Sequence, residues 1–188
     1  MRILLASGSP RRAALLRAAG FDFDVQPVNA DESLHPDETP EQYVRRVAEA
    51  KAHAVLASAG DRVVLAADTT VVVNDRILGK PADAAGAAHM LRLLSGRWHQ
   101  VLTGVTLAHG ADVRTRAEVT GVEFLPLSDA EIAWYVASGE PWDKAGAYAV
   151  QGLASRFVAR ISGSYSNVVG LPVALVYVML GELGVARG

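Results

Sequence analysis

The sequence lacks cysteine altogether, and it also lacks a hydrophobic run long enough to cross a bilayer. Without cysteine there are no disulfides, no thiolate nucleophile and no cysteine-ligated zinc. The longest apolar stretch without a charge, residues 168–181, contains Pro172 and is too short for a membrane span. The 5 histidines are scattered and show no metal-ligand spacing such as His-x-x-x-His. A cysteine or histidine metal site is therefore not expected.

The chain has no strong excess of charge of either sign. Its net charge is −2 and aromatic residues make up 6% of it, so it has neither the overall basicity nor the basic, aromatic-studded face typical of nucleic-acid binders. The N-terminus shows no secretory signal pattern. We therefore expect a cytoplasmic protein without nucleic-acid or membrane partners.

Two common catalytic motifs are also missing. Gly79-Lys80 is followed by proline rather than Ser or Thr, which rules out a Walker A loop, and there is no Gly-x-Ser-x-Gly elbow. What the sequence does contain is 51% apolar residues, enough to bury a substantial core. Its length and the absence of any linker predict a single domain over residues 1–188.

Apolar periodicity predicts alternating strands and helices, followed by a long hairpin. Helix-start signals precede four segments, which begin near residues 10, 40, 84 and 129, and the second of these should run to about residue 59. We predict strands at 99–109 and 113–125, a loop at 163–167 and a last helix with Pro172 as its first residue. The predicted fold class is α/β with a mixed α+β character: a central mixed, twisted sheet flanked by helices, in two lobes with an active-site cleft.

The first conspicuous segment is residues 4–12, Leu-Leu-Ala-Ser-Gly-Ser-Pro-Arg-Arg. It predicts a strand, a tight loop and a helix in which Ser9 is the N-cap and Pro10 the first helical residue. Backbone N–H groups at such a junction can bind an anion, and two arginines suit a phosphate. The alternative is a well-capped helix with solvated arginines.

Two charged residues stand in apolar surroundings. Lys51 falls on the apolar stripe of the second helix, where it either extends along that surface to water or meets an anion. Asp68 separates two apolar runs, so the sequence predicts an interrupted strand whose carboxylate is exposed at a strand end, hydrogen-bonded or bound to a cation. An Asx turn or bulge would explain it, but we favour a functional Asp68 because such strand ends line ligand crevices.

Once the predicted core is set aside, four cations and two carboxylates remain, namely Arg11, Arg12, Lys51, Lys80, Glu32 and Asp68. Cationic side chains neutralise phosphate oxygens, while carboxylates hold a hard cation or deprotonate a water. The residues alone therefore predict a phosphate-rich small-molecule ligand and a metal.

Five segments in order resemble the signatures of the Maf family of nucleotide pyrophosphatases: residues 5–12, 67–69, 79–81, 143–148 and 163–172. The resemblance covers nearly the whole chain. It implies a fold related to the inosine triphosphate pyrophosphatases and hydrolysis of a nucleoside triphosphate to monophosphate and pyrophosphate with Mg²⁺ or Mn²⁺. The family also suggests a homodimer.

The resemblance assigns roles by position. Asp68 would be the general base that activates water, or a metal ligand close to that role, and Glu32 a metal ligand. The phosphate-binding residues would be Ser7, Arg12, Lys51 and Lys80.

Three positions resemble the dTTP/UTP branch of the family: Arg11, Thr69 and Gln151. A neutral glutamine can both donate to and accept from a pyrimidine edge. The resemblance thus implies a dTTP/UTP pyrophosphatase that also removes modified pyrimidine nucleotides. The alternatives are a 7-methyl-GTP pyrophosphatase of the same family and a non-catalytic nucleotide-binding regulator of septum formation.

Overall fold

The computed structural model describes residues 2–184, in which helices and strands alternate much as the periodicity predicts. The strands of this part of the chain are β1 (Ile3–Leu5), β2 (Phe23–Val25), β3 (Val63–Val73), β4 (Arg76–Leu78), β5 (Trp98–His109), β6 (Asp112–Phe124) and β7 (Val158–Ser162). Its α-helices are α1 (Pro10–Ala18), α2 (Pro40–Leu56), α3 (Ala84–Leu94), α4 (Asp129–Ala137), α5 (Tyr165–Val169) and α6 (Val173–Glu182). Short 3-10 helices follow α4, at Glu140–Asp143, Ala145–Ala147 and Leu153–Phe157.

The strands form one sheet in the order β2-β1-β3-β5-β6-β7, with β4 paired to β3. β1 is parallel to both β2 and β3, whereas β3–β4 and β6–β7 are antiparallel pairs. The sheet is therefore mixed, as predicted. The tight turn between β3 and β4 has positive φ at Asn74 and Asp75, the backbone that closes a two-residue hairpin.

The chain groups into two compact units. The first comprises the residues up to Thr69, Thr103–Glu118 and the residues from Gly170 onward. The second comprises Thr70–Leu102 and Val119–Val169. The sequence-based prediction of one domain over residues 1–188 stays a prediction.

The first unit buries both faces of its strands, as the period of two along β1 requires. Ile3 and Leu5 belong to a cluster with residues of α1 and α6, while Leu4 and Ala6 belong to one with residues of α2. Helices therefore flank the sheet on both sides.

Gly104 brings α2 close to β5 within this unit. A Cβ at this position would lie 2.1 Å from the carbonyl oxygen of Val44 and 2.8 Å from the backbone nitrogen of Arg45. Only glycine fits such a backbone-to-backbone approach. The contact fixes the height of α2, and so of Lys51, above the sheet.

The second unit has a core of its own, in which apolar residues of β5 and β6 pack with α3 and α4. The largest fully buried side chains in it include Tyr135 and Phe124. The predicted apolar stripe of α3 is confirmed, because Ala87, Leu91 and Leu94 are buried and Met90 packs against the same cluster.

Several local predictions are wrong. β3 runs without interruption through Asp68, because pairing with neighbouring strands along its length outweighs the local turn preference of Asp-Thr-Thr. Residues predicted as loop contribute to the short helix α5, and Pro172 is the N-cap of α6 rather than its first residue. The end of α2 is Leu56, three residues short of the predicted end, which is a usual boundary error. Among residues 2–184, no helix combines the length and hydropathy needed to cross a bilayer.

Candidate active site

The loop after β1 is organised by the guanidinium of Arg12. Its Nε donates to the carbonyl oxygen of Gly170 at 2.8 Å, and its Nη1 donates to the Ser7 hydroxyl at 3.2 Å. Its Nη2 donates to the Thr69 hydroxyl at 3.1 Å. Thr69 lies in turn 2.9 Å from the hydroxyl of Thr103. A planar fork with donors on three sides is what allows one side chain to join the first loop, β3 and the start of the segment before α6.

Ser9 occupies the predicted N-cap, but its side chain makes no cap hydrogen bond. Its backbone N–H instead donates to the Ser7 hydroxyl at 3.2 Å. Arg12 is 9% exposed, and burial lowers its pKa, an effect that the nearby charges of Asp68 and Glu32 oppose. The first loop is therefore built around a buried guanidinium rather than around a solvated one.

Three of the predicted site residues meet at one ammonium group. The Lys51 Nζ lies 2.6 Å from Glu32 Oε1 and 2.7 Å from Asp68 Oδ1. The side chains of Lys51 and Asp68 are 8% and 9% exposed, whereas that of Glu32 is 43% exposed. Of the two outcomes that the sequence left open for Lys51, the structure shows contact with anionic side chains rather than extension along the surface to water.

This cluster contains one positive and two negative groups in a largely buried setting. A carboxylate removed from water is costly unless it is paired, so the buried Asp68 needs the cation that it contacts. The two carboxylates share the Lys51 ammonium. Arg12 adds a second positive group, which acts on both acids through space.

The two carboxylates provide the oxygen donors that Mg²⁺ and Mn²⁺ prefer. Within residues 2–184, no group of three or more His, Asp or Glu side chains is arranged to hold a metal ion. Two carboxylates nevertheless suit Mg²⁺, which usually binds one or two protein carboxylates and completes its shell with waters and substrate phosphates. Glu32 and Asp68 therefore fit such an ion.

Sequence reasoning missed three residues that support this site. Tyr43 and Arg46 of α2 donate to the backbone around Glu32, and Thr103 of β5 supports Thr69. Tyr43 and Arg46 are one turn apart on the same face of α2. This spacing could have indicated their role only if the Glu32 loop had been known to lie beside that face. Thr103 stands out in the sequence as a polar residue in an apolar strand, but the sequence does not indicate that its partner is Thr69.

The remaining predicted residues are divided between the units. Arg11 lies beside Arg12 at the start of α1 in the first unit, where its charge contributes to lowering the pKa of Arg12. Lys80 and Gln151 lie in the second unit and are exposed. Just before Lys80, the carbonyl oxygen of Gly79 accepts a hydrogen bond from Gly146 at 3.0 Å, which holds that turn in place.

Gln151 lies in a loop of the second unit that a partly buried carboxylate, Glu140, fixes. Glu140 accepts hydrogen bonds from the backbone N–H groups of Leu153 at 2.8 Å and Ala154 at 3.3 Å, and from the Tyr135 hydroxyl at 2.7 Å. A Cβ at Gly152 would lie 2.1 Å from Glu140 Oε2, so a side chain here would displace this hydrogen-bonded carboxylate.

The chain is similar in sequence to known proteins along almost its whole length. A family model described as "Maf-like protein" matches residues 2–183. The dTTP/UTP pyrophosphatase of Hahella chejuensis is 49% identical over 187 residues, which cover 98% of this chain and 93% of that protein. The dTTP/UTP pyrophosphatase of Anaeromyxobacter sp. is 52% identical over 188 residues, covering 97% and 90%. That of Escherichia coli O157:H7 is 49% identical over 186 residues, covering 98% and 94%.

The fold is shared with a more distant protein. The Ham1 protein of Staphylococcus aureus superposes with a TM-score of 0.56 and 14% identity, covering 97% of this chain and 100% of that one. The likeness is one of fold alone. It confirms the predicted fold of the inosine triphosphate pyrophosphatase type.

Proposed function

The chain belongs to the Maf family, and on that premise we propose that it is a nucleoside triphosphate pyrophosphatase acting on dTTP and UTP. It would release the nucleoside monophosphate and pyrophosphate, and it would accept modified pyrimidine nucleotides as well. The observation that carries the proposal is the cluster in which the Lys51 ammonium lies between the carboxylates of Glu32 and Asp68. Such a group of charges suits a metal-assisted attack on a phosphoanhydride.

We assign the metal, Mg²⁺ or Mn²⁺, to Glu32 and Asp68. The oxygen donors fit a hard cation. When bound, the cation neutralises the phosphate oxygens as charge develops on the leaving group.

Asp68 is assigned as the base. Its carboxylate accepts a hydrogen bond from Lys51 and lies on a central strand, which holds it in a fixed position. In the proposed reaction a water oxygen bonds to phosphorus, the proton of the water passes to Asp68, and the anhydride bond breaks to release pyrophosphate. Lys51 and Arg12 hold phosphate oxygens by charge-assisted hydrogen bonds, with Ser7 beside Arg12.

The assignments of Lys80 to phosphate and of Arg11, Thr69 and Gln151 to nucleotide choice rest on the family resemblance. Support for the pyrimidine assignment comes from relatives at about 50% identity that are named dTTP/UTP pyrophosphatase. A cytoplasmic homodimer is part of the same proposal.

The test is a panel of dTTP, UTP, a modified pyrimidine triphosphate and 7-methyl-GTP, each with Mg²⁺ or Mn²⁺. We expect stoichiometric pyrophosphate from the pyrimidine nucleotides and little from 7-methyl-GTP. Preferential cleavage of 7-methyl-GTP would refute the subfamily, and release of single phosphates would refute the reaction type.

Asp68→Asn tests the assignment of the base, whereas a non-catalytic regulator would show no turnover in either form. The variant keeps the shape of the side chain but removes the base, so we expect turnover to fall by a factor of about 10² to 10⁴. Nucleotide binding measured by calorimetry should persist. Unchanged turnover would show that Asp68 is not the base.

A further inference from the structure

We propose that Arg46 and Tyr43 are positioning residues that hold Glu32 in place for the metal by binding the backbone of its loop. The inference rests on the proposed function, because it takes Glu32 as a metal ligand. Both residues contact this loop through its backbone carbonyl oxygens.

Glu32 needs such support because of where it lies. Between β2 and α2 the described chain has neither helix nor strand, and Glu32 stands in the middle of this segment. Its side chain is 43% exposed, whereas its partners Lys51 and Asp68 lie on a helix and a strand and are nearly buried. Ordering a loop residue costs conformational entropy. If the loop of Glu32 were ordered only when the metal binds, that cost would weaken metal binding.

Arg46 supplies the main constraint. Its Nη2 donates to the carbonyl oxygen of Ser33 at 2.8 Å, and its Nη1 lies 3.5 Å from that of Asp31, so the guanidinium contacts the backbone on both sides of Glu32.

The guanidinium is itself fixed by Glu38, at the far end of the loop. Its Nε and Nη2 donate to the two carboxylate oxygens of Glu38 at 2.6 and 2.8 Å, a two-pronged contact that lysine cannot reproduce. The side chain of Glu38 is only 8% exposed. The loop is thereby closed on the surface of α2.

Tyr43 adds a contact to Glu32 itself. Its hydroxyl donates to the carbonyl oxygen of Glu32 at 3.1 Å. The residue is only 8% exposed, so packing holds its ring in place. The Arg46 guanidinium lies over the Tyr43 ring at 5.6 Å, so the two anchors also support each other.

One helix thus fixes both partners of an ion pair. Lys51 extends from α2, and the same helix carries Tyr43 and Arg46, which hold the loop of Glu32. The separation between the Lys51 ammonium and the Glu32 carboxylate is then set by a rigid element rather than by loop motion. Residues that orient metal ligands in this way commonly change metal affinity by 10- to 100-fold when they are removed.

The test is titration of the full chain with Mn²⁺ alone, followed by electron paramagnetic resonance without nucleotide. We expect Arg46→Gln to weaken Mn²⁺ binding by about 10-fold or more, and Tyr43→Phe by a smaller factor of about 3 to 10. In activity assays the Mn²⁺ concentration for half-maximal rate should rise by similar factors, while kcat at saturating Mn²⁺ stays within about 2-fold. A merely structural role would not separate these two quantities.

Arg45→Gln is the matched control. Arg45 is the neighbouring arginine of the same helix and pairs with Glu41 and the carbonyl oxygen of Thr115, away from the Glu32 loop. The Arg45→Gln variant should bind Mn²⁺ as tightly as the unmodified protein does.

Glu32→Gln distinguishes failure of this inference from failure of the proposed function. If Glu32→Gln loses Mn²⁺ binding while Tyr43→Phe and Arg46→Gln retain it, the positioning role is wrong and the metal assignment stands. If Glu32→Gln retains full binding, the metal assignment itself is wrong and the positioning role falls with it. Because Tyr43→Phe preserves the packed ring, it decides the question even if Arg46→Gln fails to fold.

Discussion

At the scale of single residues, Lys51 both stabilises the fold and serves the proposed chemistry. Its ammonium neutralises two carboxylates that would otherwise repel each other in a mostly buried setting. A divalent cation held by Glu32 and Asp68 would neutralise the same two carboxylates. Lys51 and the metal should therefore partly substitute for each other in stabilising the fold.

Lys51→Met tests this relation. The methionine fills similar space but leaves Asp68 without its cation, so we expect a loss of about 2 kcal/mol of unfolding free energy in EDTA. Mn²⁺ should restore more stability in this variant than in the unmodified protein, because it binds the folded state where the ammonium is missing. Chemical denaturation followed by circular dichroism, with and without Mn²⁺, measures both. Equal stability of the two proteins in EDTA would contradict the argument.

Arg12 allows a second prediction at this scale. Its guanidinium binds Gly170, Ser7 and Thr69 in three directions, and a lysine ammonium cannot reach all three. We expect Arg12→Lys to cost about 2 kcal/mol, because buried acceptors are left without donors. Urea denaturation measures the free energy of unfolding of this variant. Arg17→Lys, a change at an exposed residue of the same helix, should lower that free energy little. A loss no larger than that of Arg17→Lys would show that charge alone suffices.

At the scale of secondary-structure elements, the predictions that succeeded rest on local chemistry. The capping boxes at Thr39 and Ser128 mark the starts of α2 and α4, and each forms its reciprocal pair of hydrogen bonds. The prediction of an interruption at Asp68 failed because strand pairing is set by residues far away in the chain. The anchors of the Glu32 loop were beyond prediction for the same reason: Arg46 meets its backbone partners only in the folded state.

Gly104 gives the prediction at this scale. A methyl group there would collide with the backbone of α2 at Val44, and backbone cannot move aside as a side chain can. We expect Gly104→Ala to cost about 3 kcal/mol and to lower activity, since α2 carries Lys51. Gly79→Ala is a suitable control for stability, because a Cβ at Gly79 would meet nothing within 4 Å and the φ of this residue is not in the left-handed region. If thermal unfolding shows equal losses for both variants, the close packing of α2 on β5 is not what limits stability.

At the scale of the whole molecule, the two units differ in how they use polar residues. The buried charged side chains of the first unit, Arg12, Lys51 and Asp68, lie in the candidate site, whereas the second unit buries a histidine in its core. His99 is 3% exposed, and its Nε2 lies 2.9 Å from the hydroxyl of Tyr148. The rings of Phe124 and Tyr148 pack edge-on against it at 5.0 and 5.4 Å. The sequence does not show which histidine is buried, because the residues that pack against His99 are distant from it in the chain.

This burial predicts a pH dependence of stability in the second unit. Burial lowers the pKa of His99 to about 4, whereas an unfolded histidine titrates near 6.5. Between these values the unfolded chain takes up a proton that the folded chain does not. Stability is therefore full above about pH 6.5 and falls as pH decreases toward 4, by up to about 3 kcal/mol.

The measurement is urea denaturation followed by tryptophan fluorescence at pH 7.5 and 4.5. All 3 tryptophans, Trp98, Trp134 and Trp142, lie in the second unit, so the signal reports the unit that contains His99. His99→Phe retains an aromatic ring but cannot take up a proton, so it should lose the histidine part of the pH dependence, while carboxylates that titrate in this range act on both proteins alike. If stability falls equally in both, His99 is not the group that couples pH to folding, and the cause must be sought among the carboxylates.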